Sequence, residues 1–244
     1  MTRGINLRYL HVLRMLNTDT RKLLVAVFWR LGIALLFLAV ILFSAAGRWD
    51  LPMFWAYFLV CFGVAVLGLR VVGGKDPSLL EERFRPPVRG KDSVTRPMAA
   101  LTLLISLVIA ALDVGRFHWS GHVPLGVQVI GLVVVTATFA VWMWAMSVNR
   151  FFSSEVRIQR DRGHQVVTAG PYQFVRHPGY AVAIVLFLTT PIALGSWWAI
   201  LPIVPLIAVF IRRTALEDRL LRAELEGYAT YAQRVRFQLV PGLW

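Results

Sequence analysis

Six apolar runs, at 23–47, 51–72, 97–114, 123–148, 179–194 and 196–211, constrain this chain more than anything else in it. Stretches of this kind are long enough, or nearly so, to cross about 30 Å of hydrocarbon as helices. The connections between them alternate in charge. The N-terminal segment, 74–97, 149–178 and 212–244 hold five, six, five and six Lys or Arg, whereas the intervening connections hold only Arg48, Arg116 and none. Basic loops stay on the cytoplasmic side, so the pattern predicts an all-α, polytopic membrane protein of about six transmembrane helices. Both termini, and a site between the basic segments, are expected to face the cytoplasm. Residues 1–148 then form about four N-terminal spans, after a short interfacial helix within the first 22 residues. Residues 149–244 form a second region that carries the candidate site: a tight helical hairpin of the last two runs, kinked by Pro191, Pro202 and Pro205, and a C-terminal interfacial helix from near Arg212. The first run could be a signal-peptide core cleaved after Ser44-Ala45-Ala46, but the long basic segment before it and the apolar blocks behind it favour a retained span.

Composition narrows the class of partner. The chain is 57% hydrophobic and 16% charged, too greasy for an ordinary soluble domain. Its formal charge of +13 comes from 26 Lys+Arg against 13 Asp+Glu. Because these bases flank apolar runs, they predict a lipid bilayer as partner and no nucleic acid. The basic loop before residue 97, with Arg83, Arg85, Arg89 and Lys91 around Pro86-Pro87, reads as a plain cytoplasmic connection. Cys61, the single cysteine, lies inside an apolar run and supplies neither a disulfide nor a thiolate metal site.

Between the fourth and fifth runs lies a polar, aromatic, turn-rich stretch at 164–180. Gly170-Pro171 and Pro178-Gly179 pin its backbone into turns. Tyr172, Arg176, His177 and Tyr180 between them can hydrogen-bond or stack, and the stretch reads as the floor of a ligand site. Arg213 and Glu217, four apart and so on one helix face, meet the same membrane surface after a short hairpin. In isolation they would be a surface ion pair of little consequence. Leu216, Leu220, Leu221, Leu225 and Tyr228 give that helix an apolar stripe. His164 and His177 have no carboxylate at ligand spacing, so no metal is expected. No Gly-x-Gly-x-x-Gly, Walker or Gly-x-Ser-x-Gly pattern occurs, which removes the usual soluble nucleotide-binding and hydrolase devices.

From Asn149 to Trp244 the chain resembles the isoprenylcysteine carboxyl methyltransferase family, membrane enzymes that use S-adenosylmethionine. The resemblance rests on Gly170-Pro-Tyr172, Arg176-His-Pro-Gly-Tyr180, Glu217 with its following leucines, Gly227-Tyr-Ala-Thr-Tyr231 and Val240-Pro-Gly. It implies a cofactor strip at His164, Gln165, Val166 and Val167, lined largely through backbone groups. It also implies a cofactor-contacting turn at Tyr172, Arg176, His177, Pro178, Gly179 and Tyr180, with Glu217 as the carboxylate that helps hold the cofactor. Arg213 falls where the family places an arginine handling the methyl acceptor, so Arg213 and Glu217 are the expected catalytic pair. Where the family often has two acidic residues together, this chain has Glu217-Asp218. Whether Arg157 joins the cofactor contacts is left open.

The chemistry is consistent with that reading. A sulfonium methyl donor needs mainly alignment and exclusion of water, and tyrosine faces favour its positive centre. The guanidinium of Arg213 suits a carboxylate. The expected reaction is methyl transfer from S-adenosylmethionine, leaving S-adenosylhomocysteine, to a lipophilic or lipidated acceptor of the prenylcysteine-carboxylate type. A phospholipid amine or a small thiol would use the same donor geometry. Two other classes stay open: an NADPH-dependent sterol-type reductase using Arg157, Arg160 and Arg162 for the extra phosphate, and a scaffold or transporter without cofactor. The near absence of charged residues within the runs argues against an ion or proton pathway.

Overall fold

A computed structural model describes residues 7–75, 95–153 and 156–244. The loop carrying Arg83, Arg85, Pro86-Pro87, Arg89 and Lys91 therefore lies outside the described residues. The helices are α1 (Leu7–Ala46), α2 (Pro52–Lys75), α3 (Thr95–Leu112), α4 (Leu125–Val148), α5 (Pro178–Leu194), α6 (Ile203–Glu224) and α7 (Tyr228–Arg234). Among the described residues there is no strand, and the expected all-α class holds.

Four helical stretches are long and apolar enough to cross a membrane: Phe28–Ala46, Pro97–Phe117, Leu125–Val148 and Trp198–Glu224. The apolar parts of α2 (Pro52–Gly68) and α5 (Pro178–Leu194) are shorter. At 1.5 Å per residue, α5 reaches only about 25 Å, less than the thickness of a hydrocarbon core. Length and composition thus support four of the six expected spans among the described residues. The outward faces are themselves apolar: Leu36, Leu59, Ile130 and Val133 are all more than 60% exposed, the reverse of a water-soluble bundle.

Three local expectations are corrected. Among the described residues no separate interfacial helix precedes the first span; α1 runs unbroken from Leu7, and its sequence holds no proline and only Gly32 to interrupt it. No second helix starts near Arg212 either. The last apolar run and the Arg213/Glu217 segment are one rod, α6, because nothing from Ile203 to Glu224 breaks it after Pro205 in its first turn. Pro202 and Pro205 therefore start α6 instead of kinking it. The most extensive helix contact is α4 with α5, while α6 packs on both α3 and α5. The α4–α5 seam closes at Gly131, where a Cβ would lie 2.9 Å from the backbone nitrogen of Ala193. Small residues let membrane helices approach in this way.

At the end of the bundle away from residues 149–180, a buried carboxylate ties the connections. A single π-helical turn at Asp113–Phe117 extends α3. Asp113, 1% exposed, accepts hydrogen bonds from the Ser120 amide at 2.8 Å, from the Ser120 hydroxyl and from the Ser196 hydroxyl. Arg116 donates to the carbonyls of Ala45 and Ser44 at 2.6 and 3.0 Å, capping the C-terminus of α1. Trp49, Trp55, Phe117, Trp119, Trp197 and Trp198 are exposed at this end, the residue types of a membrane–water interface.

Candidate active site

The opposite end of the bundle holds a cavity of about 340 Å³, within the range of small-molecule sites. Two segments distant in sequence build it. One is the irregular stretch from Asn149 through the start of α5. The other is the last part of α6 with α7. The residues expected to hold cofactor and acceptor all line it: His164, Gln165, Val166, Val167, Tyr172, Arg176, His177, Pro178, Gly179, Tyr180, Arg213 and Glu217.

The cavity has two halves of different character. On the bundle side its wall is apolar: Ala99 of α3, Trp142 of α4, Ala183 and Phe187 of α5, and Phe210 of α6. On the other side it is polar and carries exposed backbone. The segment 165–167 belongs to no helix or turn, and its amides and carbonyls take no part in the turn and loop backbone hydrogen bonds. Tyr180 joins the halves. Its ring packs with Phe210 in the apolar cluster, while its hydroxyl donates to Glu217 Oε2 and accepts from Arg213 Nε at 2.7 Å. Arg213 is 7% exposed and its guanidinium lies 5.4 Å from the centre of the Tyr180 ring. Arg213 is therefore buried instead of lying on the surface, and it meets Glu217 on one phenol.

Turn chemistry fixes the polar side. The side-chain oxygen of Asn149 accepts the Phe151 amide at 2.9 Å, and its Nδ2 donates to the Tyr172 hydroxyl at 2.8 Å. The Tyr231 hydroxyl donates to the Tyr172 carbonyl at 2.7 Å, tying α7 to the Gly170–Gln173 turn. Burial, more than any neighbour, raises the Tyr172 phenol well above its ordinary value and keeps it neutral. Gln159, 1% exposed, donates to the Phe151 carbonyl at 2.7 Å and accepts from Arg162 at 2.7 Å. Its own amide donates to His164 Nδ1 at 3.2 Å, and the imidazole lies against the Phe151 ring with centroids 4.6 Å apart. Burial, then the charges of Arg157 and Arg162, pull His164 below the usual histidine range. Phe152 closes over Gly179, where a Cβ would meet the ring edge at 2.9 Å.

Arg176 and His177 line the cavity, and the Arg176 guanidinium and His177 Nε2 reach Asp218 behind it. Arg176 donates to Asp218 through Nε at 2.7 Å and Nη2 at 3.2 Å. Its Nη1 donates to the carbonyls of Val235 and Arg236 at 2.8 and 2.7 Å. Four of the five guanidinium hydrogens are thereby engaged by the protein. His177 Nε2 lies 3.3 Å from Asp218 Oδ1 and 3.4 Å from the Tyr228 hydroxyl. The apolar stripe beyond Glu217 does not lie on an interface throughout: Leu225 and Tyr228 are buried with Tyr231, Ala232 and Val235 over Ile158 and Val166.

Sequence reasoning missed Asn149, Phe151, Phe152, Gln159, Leu221, Leu225 and Tyr231, which also line the cavity. Tyr231 stood in a quoted motif and Leu221 and Leu225 in the stripe, but a lone Asn or Gln in a loop carries no signal of its own. Among the described residues no group of three or more His, Cys, Asp or Glu is placed to hold a metal ion.

Fold and cavity together define a helical membrane protein with an amphiphilic site at one end of its bundle. Comparison with known families gives a similarity over part of the chain: residues 129–223 match the model of the isoprenylcysteine carboxyl methyltransferase (ICMT) family. The match supports a membrane methyltransferase. It begins inside α4, earlier than the resemblance starting at Asn149, and ends before Gly227–Tyr231 and Val240. No curated protein matches the chain.

Proposed function

We propose that this protein transfers a methyl group from S-adenosylmethionine to a lipophilic acceptor of the prenylcysteine-carboxylate type, at a site facing the cytoplasm. One observation carries the reading: a single cavity joins a polar, amide-lined half to an apolar half, with Arg213 and Glu217 at the join. The donor set suits the cofactor. The open backbone of Gln165–Val167 offers the paired donor and acceptor that an adenine edge requires. Glu217 accepts the ammonium or a ribose hydroxyl, and the faces of Tyr172 and Tyr180 suit a cationic sulfur. S-adenosylmethionine, when bound, supplies a methyl group already activated as a sulfonium.

The chain's own residues then align and desolvate. The apolar wall of Trp142, Phe187 and Phe210 takes the hydrocarbon of an acceptor arriving from the bilayer. Arg213 grips its carboxylate and turns one oxygen toward the polar half. An acceptor that is already a carboxylate needs no base, which agrees with His177 being turned onto Asp218 and Tyr228. A protonated amine or thiol would need one. Both termini face the cytoplasm in this reading, and α2 and α5 complete six membrane segments. Residues 149–244 form its catalytic region and 1–148 the preceding membrane part.

The reductase alternative asks Arg157, Arg160 and Arg162 to hold a phosphate. Arg157 and Arg160 instead pair with Asp161 and Glu224, and Arg162 donates to Gln159. The test is to incubate the purified protein with methyl-labelled S-adenosylmethionine and either a prenylated cysteine or a phospholipid extract. A base-labile labelled ester on the prenylated cysteine is expected. Label confined to a phospholipid amine would reassign the acceptor, and no label in either arm would contradict the proposal.

A further inference from the structure

Glu217 and Asp218 are neighbours in sequence but do different things in space. Consecutive helical residues point about 100° apart, so only one of them can face the cavity. Glu217 does. Asp218 points into the seam behind the cavity floor, where it is 3% exposed. There its two oxygens accept from Arg176 at 2.7 and 3.2 Å, from Arg222 at 2.8 Å and from the Tyr228 hydroxyl at 2.8 Å, with His177 Nε2 at 3.3 Å. Every one of these partners belongs to α6, α7 or the 176–177 turn.

The same turn is stitched to the C-terminal segment by backbone. The Arg176 amide donates to the Phe237 carbonyl at 3.0 Å and the His177 amide to the Gln238 carbonyl at 2.9 Å. The fork of Arg176, aimed by Asp218, takes the carbonyls of Val235 and Arg236 on the same strap. The floor of the cavity, its covering helix α7 and the strap beneath thus converge on one carboxylate that itself touches no cavity space.

We infer that Asp218 is a positioning residue: it sets the 176–180 turn, and with it the cofactor half of the cavity, by holding Arg176 and His177. The inference rests on the methyltransferase reading for its ligand, but the geometry it describes can be read without one. The role needs negative charge, because a buried guanidinium left without its carboxylate is unstable where it stands. An amide of the same size can accept only on one side and would present N–H to N–H on the other.

The experiment compares full-length wild type with Asp218→Asn, Asp218→Glu and Arg222→Gln in detergent. Two quantities are followed: S-adenosylhomocysteine affinity, and amide hydrogen exchange at residues 174–180. Asp218→Asn is expected to weaken S-adenosylhomocysteine about tenfold and to speed exchange of the Arg176 and His177 amides by a similar factor. Exchange along α4, and along α5 beyond Tyr180, should not change. Asp218→Glu should restore affinity to within about threefold, since the flexible arginine stem can follow a carboxylate one methylene further out. Arg222→Gln removes one exposed partner and should cost about two- to threefold in affinity at an unchanged melting midpoint.

Wild-type affinity and unchanged exchange at 176–177 in Asp218→Asn would overturn the inference, as would an Asp218→Glu no better than the amide. If Asp218→Asn does not fold, Arg222→Gln decides, and exchange at 176–177 equal to wild type overturns it. A wild-type protein that binds no S-adenosylhomocysteine contradicts the methyltransferase reading, while the exchange measurement still decides the role of Asp218.

Discussion

The Tyr180 hydroxyl holds Glu217 and Arg213 at once, so the three side chains act as a unit. Glu217→Gln keeps the shape but removes the charge that a ligand ammonium would meet. It is expected to weaken S-adenosylhomocysteine binding by about ten- to a hundredfold, the scale of a hydrogen bond to a charged group. Equal affinity of Glu217→Gln and wild type in calorimetry would remove Glu217 from the site. His164 predicts a pH dependence. Its folded-state value lies below the ordinary one of about 6.5. Between the two the unfolded chain binds more protons, so stability falls as pH drops through about 6.5 and holds steady above it. Protonating Nδ1 also ends its acceptance of the Gln159 amide. The melting midpoint should fall between pH 7.5 and pH 5.5, and His164→Gln should flatten that slope; equal slopes would contradict the assignment. Tyr172, His177, Tyr180, Arg213 and Glu217 could be read from the chain because turn signals and helical spacing placed them beside one another. Asp218 could not be read as a partner of Arg176, because a contact across 42 positions leaves no local periodicity.

Helices were legible from their apolar runs, and the start of α5 from the Pro178-Gly179 turn. Which helices pair was not. The expectation of an α5–α6 hairpin came from their closeness in sequence, whereas the α4–α5 seam depends on how near two backbones can come. Gly131→Ala tests that seam. In an exposed helix this change would stabilise by about 1 kcal/mol. Here the new methyl meets backbone, which cannot swing aside, so a loss of about 1–3 kcal/mol is expected in thermal unfolding. A stabilised variant would mean that the helices are further apart than described. At the other end of the bundle, Asp113→Ala strands the hydroxyls of Ser120 and Ser196. It should cost about 2–3 kcal/mol while leaving cofactor affinity untouched, because the knot lies at the end remote from the cavity. A large change in affinity would show that the two ends are coupled.

The whole molecule is an apolar bundle with a knotted, aromatic-rimmed end and a cavity-bearing end. Its charge asymmetry was visible in the sequence because basic residues cluster in alternate connections. The amphiphilic cavity was only half visible: the polar motif announced itself, but the apolar wall is drawn one or two residues each from α3, α4, α5 and α6. Such residues look like any others in a membrane helix. The continuity of α6 matters at this scale, since one rod carries Phe210 in the apolar half and Glu217 in the polar half. The central claim is that this cavity holds a sulfonium nucleoside between two sequence-distant segments. Titration of S-adenosylhomocysteine into the detergent-solubilised protein, followed by calorimetry, tests it most directly. One molecule bound per chain at sub-millimolar concentration is the result this account predicts, and no heat of binding up to millimolar ligand would contradict it.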